Sequence, residues 1–501
     1  MSAGTMSAAS IVAIRLPRGV RRFAYLSRQP PAIIGLSAFL LYGATSLARF
    51  DQMKAGIDLA IFTEAVKQYS NGNFPWSYLK GAWGFNLLGD HFSPVVALIA
   101  PLYRQFPDAR TLLIVQSALV ALTASILTRS TERLMGSRMG LGVGIAFTLA
   151  WGVQSMALFD FHEIAFALPL LAMALSELLQ HRESKAIAWS LPLMLVKEDS
   201  VFLLLGIVLV LAVRRNWRSA LGLTSYALVT FATIVGLVIP RIGYYGRYTY
   251  WSSTGLPGAL DALWASVSSG KALSLLLALA LPSLGLALRS PLALVALPPL
   301  MSRLTSANEH YWSMGFHYNA TVTLVLAFAA VDAVLKLVER GPGYAIWVTR
   351  GVLVSAIFAL IASSWLPLGV VFREAAQPCP RCAATKAALA AVPDGASVAA
   401  DDTLVSYLVD RTYVHELKPD LRDTNGRPIY PEYIAMDRSG DAIWNAVEST
   451  DGWREQLLRH HAYGQTYDFV CERVRADSRS KGRRPVYDIA ILRTSYPSSA
   501  R

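Results

Sequence analysis

The chain has 501 residues, 54% of them hydrophobic and only 16% charged, with a formal net charge of +12. Soluble domains carry about 25% charged residues, so a single water-exposed globule is excluded. The positive excess reads as topological, since cytoplasmic loops of membrane proteins collect Lys and Arg; nucleic-acid binding is disfavoured because no basic stripe is interleaved with aromatics and no nucleic-acid motif appears.

Residues 1–31 form a basic N-terminus. Arg15, Arg18, Arg21, Arg22 and Arg28 all precede the first acid, Asp51, which keeps this end cytoplasmic. A signal peptide cut after Ser46-Leu47-Ala48 is the alternative, and it leaves the remaining topology unchanged. Residues 32–370 read as a transmembrane domain of about 11 spans, at 32–49, 109–128, 139–158, 163–180, 186–196, 199–213, 219–240, 271–288, 290–302, 317–337 and 351–369. Lys197-Glu198-Asp199 interrupts one apolar stretch. Charges at mid-bilayer cost at least ~2.5 kcal/mol each, so a hairpin turning at that triplet is preferred to one long tilted helix.

Charge bias sets the orientation. Short loops assigned inside hold Arg129, Arg133, Arg138, Arg182, Lys185, Arg214, Arg215, Arg218, Arg289, Lys336, Arg340 and Arg350. Short outside loops hold only Lys197, Arg241, Arg247, Lys271 and Arg303. The expectation is a multi-pass plasma-membrane protein with its N-terminus cytoplasmic and its C-terminus outside.

Residues 50–108 make a long first outer loop. Within it, residues 57–70 have helical periodicity, with Ile57, Ile61, Ala65 and Tyr69 on one face. Residues 93–104 are too short to span and read as an interfacial helix. After the last span, residues 371–501 have ordinary soluble composition and read as an extracytoplasmic α/β domain. Strands are expected at Ala396–Ala400, Tyr433–Met436, Tyr467–Cys471 and Val486–Leu492, and a helix over 440–461. Cys379 and Cys382 lack the second pair that zinc needs, so a local disulfide is expected in an oxidising compartment, with Cys471 left as a free buried thiol.

The ionisable motifs gather on the outer loops. They are Asp58; Asp90-His91; Asp160, His162 and Glu163; Lys197-Glu198-Asp199; Arg241 and Arg247 beside Tyr244, Tyr245, Tyr248, Tyr250 and Trp251; and Glu309, His310 and His317. Each has a structural reading. Asp58 could cap a helix. Asp90-His91 could be a turn, Asp160–Glu163 a polar span end, Lys197–Glu198 an ion pair, and the aromatics an interfacial belt. Together they offer chemistry. Asp58 or Asp90 could act as general base. Lys197, Arg241 or Arg247 could stabilise a phosphate leaving group. Asp90, His91, His162 and Glu163 could hold Mn²⁺ or Mg²⁺.

These motifs resemble a family of predicted membrane proteins catalogued as domain of unknown function 2079. The resemblance rests on Ile57-Asp58-Leu59-Ala60-Ile61-Phe62, Gly89-Asp90-His91-Phe92-Ser93-Pro94, Phe159-Asp160-Phe161-His162, Lys197-Glu198-Asp199 and the His317-Tyr318 region. Ala60 stands where the family usually has glycine, and Glu163 where proline is usual. The family is similar in turn to membrane glycosyltransferases of the C-type fold, which take a sugar from a polyprenyl-phosphate carrier. That resemblance implies transfer to a cell-envelope acceptor. Those enzymes keep an essential acid in the first outer loop, where Asp58 stands; on the reading adopted, Asp58 is the first choice for base, Asp90 and His91 for acceptor or metal contacts, and Lys197 with Glu198 for the donor phosphate. His162, Asp199, Arg247 and His317 are further candidates for binding substrate. A transporter or lipid flippase, and a non-catalytic envelope assembly protein, are the competing readings.

Overall fold

The computed structural model of the chain describes residues 29–81, 84–250, 255–423, 425–437, 461–462, 465–471, 474–475, 486–487 and 489–495. The basic N-terminal segment through Arg28, Trp251, residues 440–460 of the helix expected over 440–461 and the burial expected of the Cys471 side chain lie outside the described residues; His461 itself begins a strand.

Among the described residues, four helices are long and apolar enough to cross a membrane: Pro30–Asp51, Arg110–Met135, Trp217–Ile242 and Ala320–Val338. Three bent pairs bring the number to seven if each is one span. They are Ser137–Thr148 with Trp151–Ala157, Pro257–Ser268 with Lys271–Ser283, and Ile346–Ala362 with Pro367–Ala375. The shorter crossings expected from the sequence are compound elements. Residues 163–179, for instance, are a 3-10 turn followed by the Ala167–Leu179 helix.

Two of the breaks are stitched by one side chain. Gln154 donates to the Leu149 carbonyl at 2.7 Å and to Ser363 Oγ at 3.0 Å, and it accepts from the Leu368 amide at 3.1 Å. A helix can break inside hydrocarbon only where freed backbone groups find such partners.

The hairpin at Lys197-Glu198-Asp199 is present. Its arms are Glu183–Ser190 continued by Leu191–Leu195, and Val201–Val213. They run antiparallel, because Asn216 donates to Glu183 and Arg214 lies 3.8 Å from the same carboxylate.

The bundle therefore has two chemically different ends. At one, Arg110 at the start of its helix meets Asp51 at the end of another. At the other, Ser130 bonds Ser176 and the Glu183–Arg214 contact closes the hairpin arms. Arg133, Arg182 and Arg214, assigned inside, lie at this second end, and Asp160 with Arg49 lies at the first.

The Ile57–Ser70 helix lies at the motif end. Its buried Leu59 and Val66 pack on Phe161, Ile99 and Tyr103, while Ala60, Ile61 and Ala65 pack on Leu404, Val405 and Leu408 of the C-terminal region. Beside it, a Pro94–Ile99 3-10 turn runs into a short Ala100–Gln105 helix. Val96, Ile99 and Tyr103 are buried there, while Leu98, Leu102 and Phe106 are exposed, which is the two-faced pattern of an interfacial segment.

The C-terminal region carries a six-stranded sheet. Tyr413–Glu416, Ser397–Ala400, Tyr433–Asp437, Ile489–Thr494, Gln465–Cys471 and His461–Ala462 lie side by side in that order. The first three are parallel and the rest antiparallel. The edge strand Tyr413–Glu416 and a small hairpin pairing Trp76–Ser77 with Phe85–Asn86 are not foreseen from the sequence. A disulfide joins Cys379 to Cys382.

Candidate active site

The helix carrying Asp58 begins at Gly56, whose backbone is extended and whose own helix supplies no side-chain cap. The cap comes from a distant loop. Both oxygens of Asp160 accept from the Gly56 amide at 3.0 Å, and Oδ2 accepts from Leu59 at 3.4 Å. Arg49 balances the buried carboxylate at 3.4 Å. A Cβ on residue 56 would stand 2.7 Å from Asp160 Oδ2, so this contact requires glycine.

Asp58 is thereby aimed at His162, with Oδ2 3.4 Å from Nε2. Its side chain stays 41% exposed, so a ligand can reach it. Burial opposes its charge, but the hydrogen bond and charge of His162, with Lys80 and Lys197 behind, hold its carboxyl below the ordinary value. The His162 imidazole is buried, which disfavours its proton. The hydrogen bond and charge of Asp58, then the charge of Glu163, outweigh this and raise it. His317 stacks on His162 with ring centroids 3.6 Å apart, and Phe159 stacks on the same ring at 5.4 Å. Burial, and then the charge of His162, keep His317 neutral.

The remaining motifs pair across loops. Glu163 meets Lys197 at 2.9 Å, both nearly buried. Glu198, fully buried, binds His91 Nδ1 at 2.6 Å, accepts from the Phe92 amide at 2.9 Å and accepts from Tyr248 at 3.1 Å. Burial opposes the Glu198 charge, yet His91 and Lys197 hold its carboxyl well below the usual range. Asp90 meets Lys80 at 2.8 Å and accepts from Tyr250 at 3.0 Å, and Tyr250 stacks on His91. Asp199 is exposed, as are Arg241 and Arg247. The segment bearing Tyr248 and Tyr250 approaches closely because Gly89 and Gly243 touch backbone to backbone: a Cβ on Gly89 would lie 2.2 Å from Gly243 Cα.

This pairing revises the suggested metal centre. Asp90, His91, His162 and Glu163 each engage a different partner, namely Lys80, Glu198, Asp58 and Lys197. Among the described residues no group of three or more His, Cys, Asp or Glu is arranged to hold a metal ion. Lys197, expected to stabilise the donor phosphate, is paired with Glu163.

Two residues at the pocket escape sequence reasoning. Lys80, one-third exposed, is the cation near both Asp58 and Asp90. No pattern marks it beyond its place ten residues before Asp90. Asp402 comes from the C-terminal region; burial and the Glu416 charge push it up to about 6, against Lys418, with Asp58 adding.

A family model described as "Predicted membrane protein (DUF2079)" matches residues 49–470. No curated protein matches the sequence. Among solved structures, ArnT from Cupriavidus metallidurans bound to undecaprenyl phosphate has a TM-score of 0.56 at 14% identity, covering 93% of this chain and 98% of that one. The same protein in its apo state gives 0.53 at 12%, covering 94% and 98%. At such identities the likeness is one of fold.

Proposed function

The chain belongs to the DUF2079 family of predicted membrane proteins, and on that premise we propose that it is a membrane glycosyltransferase using a polyprenyl-phosphate sugar. The motif end of the bundle would face outward, with the C-terminal domain, and the acceptor would be a hydroxyl of the cell envelope. The observation that carries the reading is Asp58: an ionised, half-exposed carboxylate held between His162 and the cation Lys80.

In the reaction so proposed, the acceptor hydroxyl gives its proton to Asp58 as its oxygen attacks the anomeric carbon. The bond from that carbon to the phosphate oxygen breaks, and the polyprenyl phosphate leaves with the electron pair. Lys80 and Arg247 are the accessible cations that would receive the developing charge. Lys197, locked to Glu163, would act at longer range by fixing the loop that carries Glu198.

Two further findings support a lipid carrier. An apolar cleft of about 440 Å³ runs down one face of the Ala320–Val338 helix, lined by Thr323, Leu326, Ala330 and Leu337 with Trp151 and Trp347 opposite. It begins six residues beyond His317. The similar fold of ArnT was solved with undecaprenyl phosphate, a lipid of the class required. The test is sugar transfer from purified undecaprenyl-phosphate sugar into membranes containing the wild-type protein or Asp58→Ala. Transfer should be lost in the variant; equal transfer by both removes Asp58 from the mechanism.

A further inference from the structure

Among the described residues, the stretch 404–413 of the C-terminal domain touches the Ile57–Ser70 helix. Its contacts are specific. The Ser406 hydroxyl donates to the Gly56 carbonyl at 2.6 Å, and the Tyr407 hydroxyl accepts from the Ala55 amide at 2.9 Å. The Tyr407 ring packs on Phe50 at 4.7 Å. Farther along, Lys67 donates to the carbonyls of Val409 and Thr412 at 2.9 and 3.3 Å. Asp410 accepts from Tyr103 at 2.8 Å and from the Ala109 amide at 3.0 Å.

Gly56 is thus gripped from two sides. Asp160 of the bundle takes its N–H and Ser406 of the C-terminal domain takes its C=O. Asp58 stands two residues on, in the first turn of the helix that starts there. A shift of about 1 Å in a reacting group is enough to lose two orders of magnitude in rate.

We infer that the C-terminal domain is a working part of the active site, in which Ser406 and Tyr407 are positioning residues that clamp Ala55–Gly56 and so hold Asp58 opposite His162. The clamp itself is independent of the chemistry; its kinetic consequence rests on the transferase reading above. A domain that merely docked would have no need to bond the two residues entering the Asp58 helix, since Asp410 and Lys67 already secure it elsewhere.

The experiment is amide hydrogen exchange on the full chain in detergent, followed on peptides spanning residues 54–60. The proteins are wild type, Ser406→Ala with Tyr407→Phe, Ser406→Thr, and the docking control Lys67→Met. Exchange of residues 55–59 should rise roughly tenfold in the double variant, which loses two hydrogen bonds of modest net worth. It should stay at the wild-type level in Ser406→Thr, which keeps the hydroxyl, and in Lys67→Met, which loosens docking elsewhere. Should the double variant fail to fold, Ser406→Ala alone is judged by the same criterion. Unchanged exchange at 55–59, or an equal rise in Lys67→Met, overturns the clamp. In the transfer assay the double variant should lower kcat tenfold or more at unchanged donor KM. A rise in KM alone overturns the positioning role. If wild type transfers no sugar while the exchange results hold, the transferase reading fails and the clamp stands.

Discussion

Removing the carboxylate of Asp160 should free the start of the Asp58 helix without touching any group that faces the pocket. Replacement by alanine deletes a helix cap, at about 1 kcal/mol. It also leaves the part-buried Gly56 amide without an acceptor, at about 2 kcal/mol. The sum, about 3 kcal/mol, corresponds to roughly a hundredfold faster exchange of the Gly56 and Leu59 amides. Asp160→Asn keeps one oxygen for Gly56. It loses the attraction to Arg49 and to the positive end of the helix, about 1 kcal/mol, so exchange should rise only about fivefold. Hydrogen-exchange mass spectrometry over residues 54–60 reads both variants against wild type. Wild-type exchange in Asp160→Ala would refute the capping argument, and with it the claim that a loop 104 residues away sets the aim of Asp58.

The His162 pKa is raised in the fold, so its contribution to stability is fully present below the ordinary value of 6.5 and fades as pH rises through the raised one. Asp58 is depressed, so its contribution fades only as pH falls below the ordinary 3.8. Thermal unfolding between pH 5 and 9 should therefore show His162→Gln less stable than wild type at the acid end, the gap narrowing toward alkaline pH; a constant gap contradicts the pairing. Gln154→Leu orphans the amide of Leu368 and the carbonyl of Leu149 at two helix breaks, and should lose about 2–4 kcal/mol of stability, seen as a lowered unfolding midpoint in detergent. Gly89→Ala forces a methyl group into the Gly243 backbone and should displace the Tyr248–Tyr250 segment, raising the rate at which Tyr248 is chemically modified. An impermeant maleimide added to intact cells should label Arg247→Cys and spare Arg182→Cys; the reverse pattern inverts the proposed orientation.

Much of the architecture is legible in residue order. The 57–70 helix, the interfacial run after Pro94 and four sheet segments announce themselves through local periodicity, and Lys197-Glu198-Asp199 marks its turn because charge cannot rest in hydrocarbon. What order does not carry is partnership. That Glu198 belongs to His91 rather than to its neighbour Lys197, and Lys197 to Glu163, depends on how the hairpin and the first loop fold over each other. The suggested metal ligands illustrate this: four residue types suited to Mn²⁺ or Mg²⁺ end in four separate pairs. Asp160 looks like a chemical group in sequence and is a cap in space, and the parallel edge strand Tyr413–Glu416 lacks the clean alternation that marks a half-buried strand.

The arms of the Lys197 hairpin are thirteen residues each, about 20 Å of helix, against roughly 30 Å of hydrocarbon. If their feet rest at the far interface, the turn falls short of the near one by some 10 Å. The acids, histidines and lysines then sit at the bottom of a dip in the membrane rather than on its plane. A carrier lipid could offer its sugar there without leaving the acyl layer, while bulk water, the competing acceptor that would waste the activated sugar, is thinned by depth.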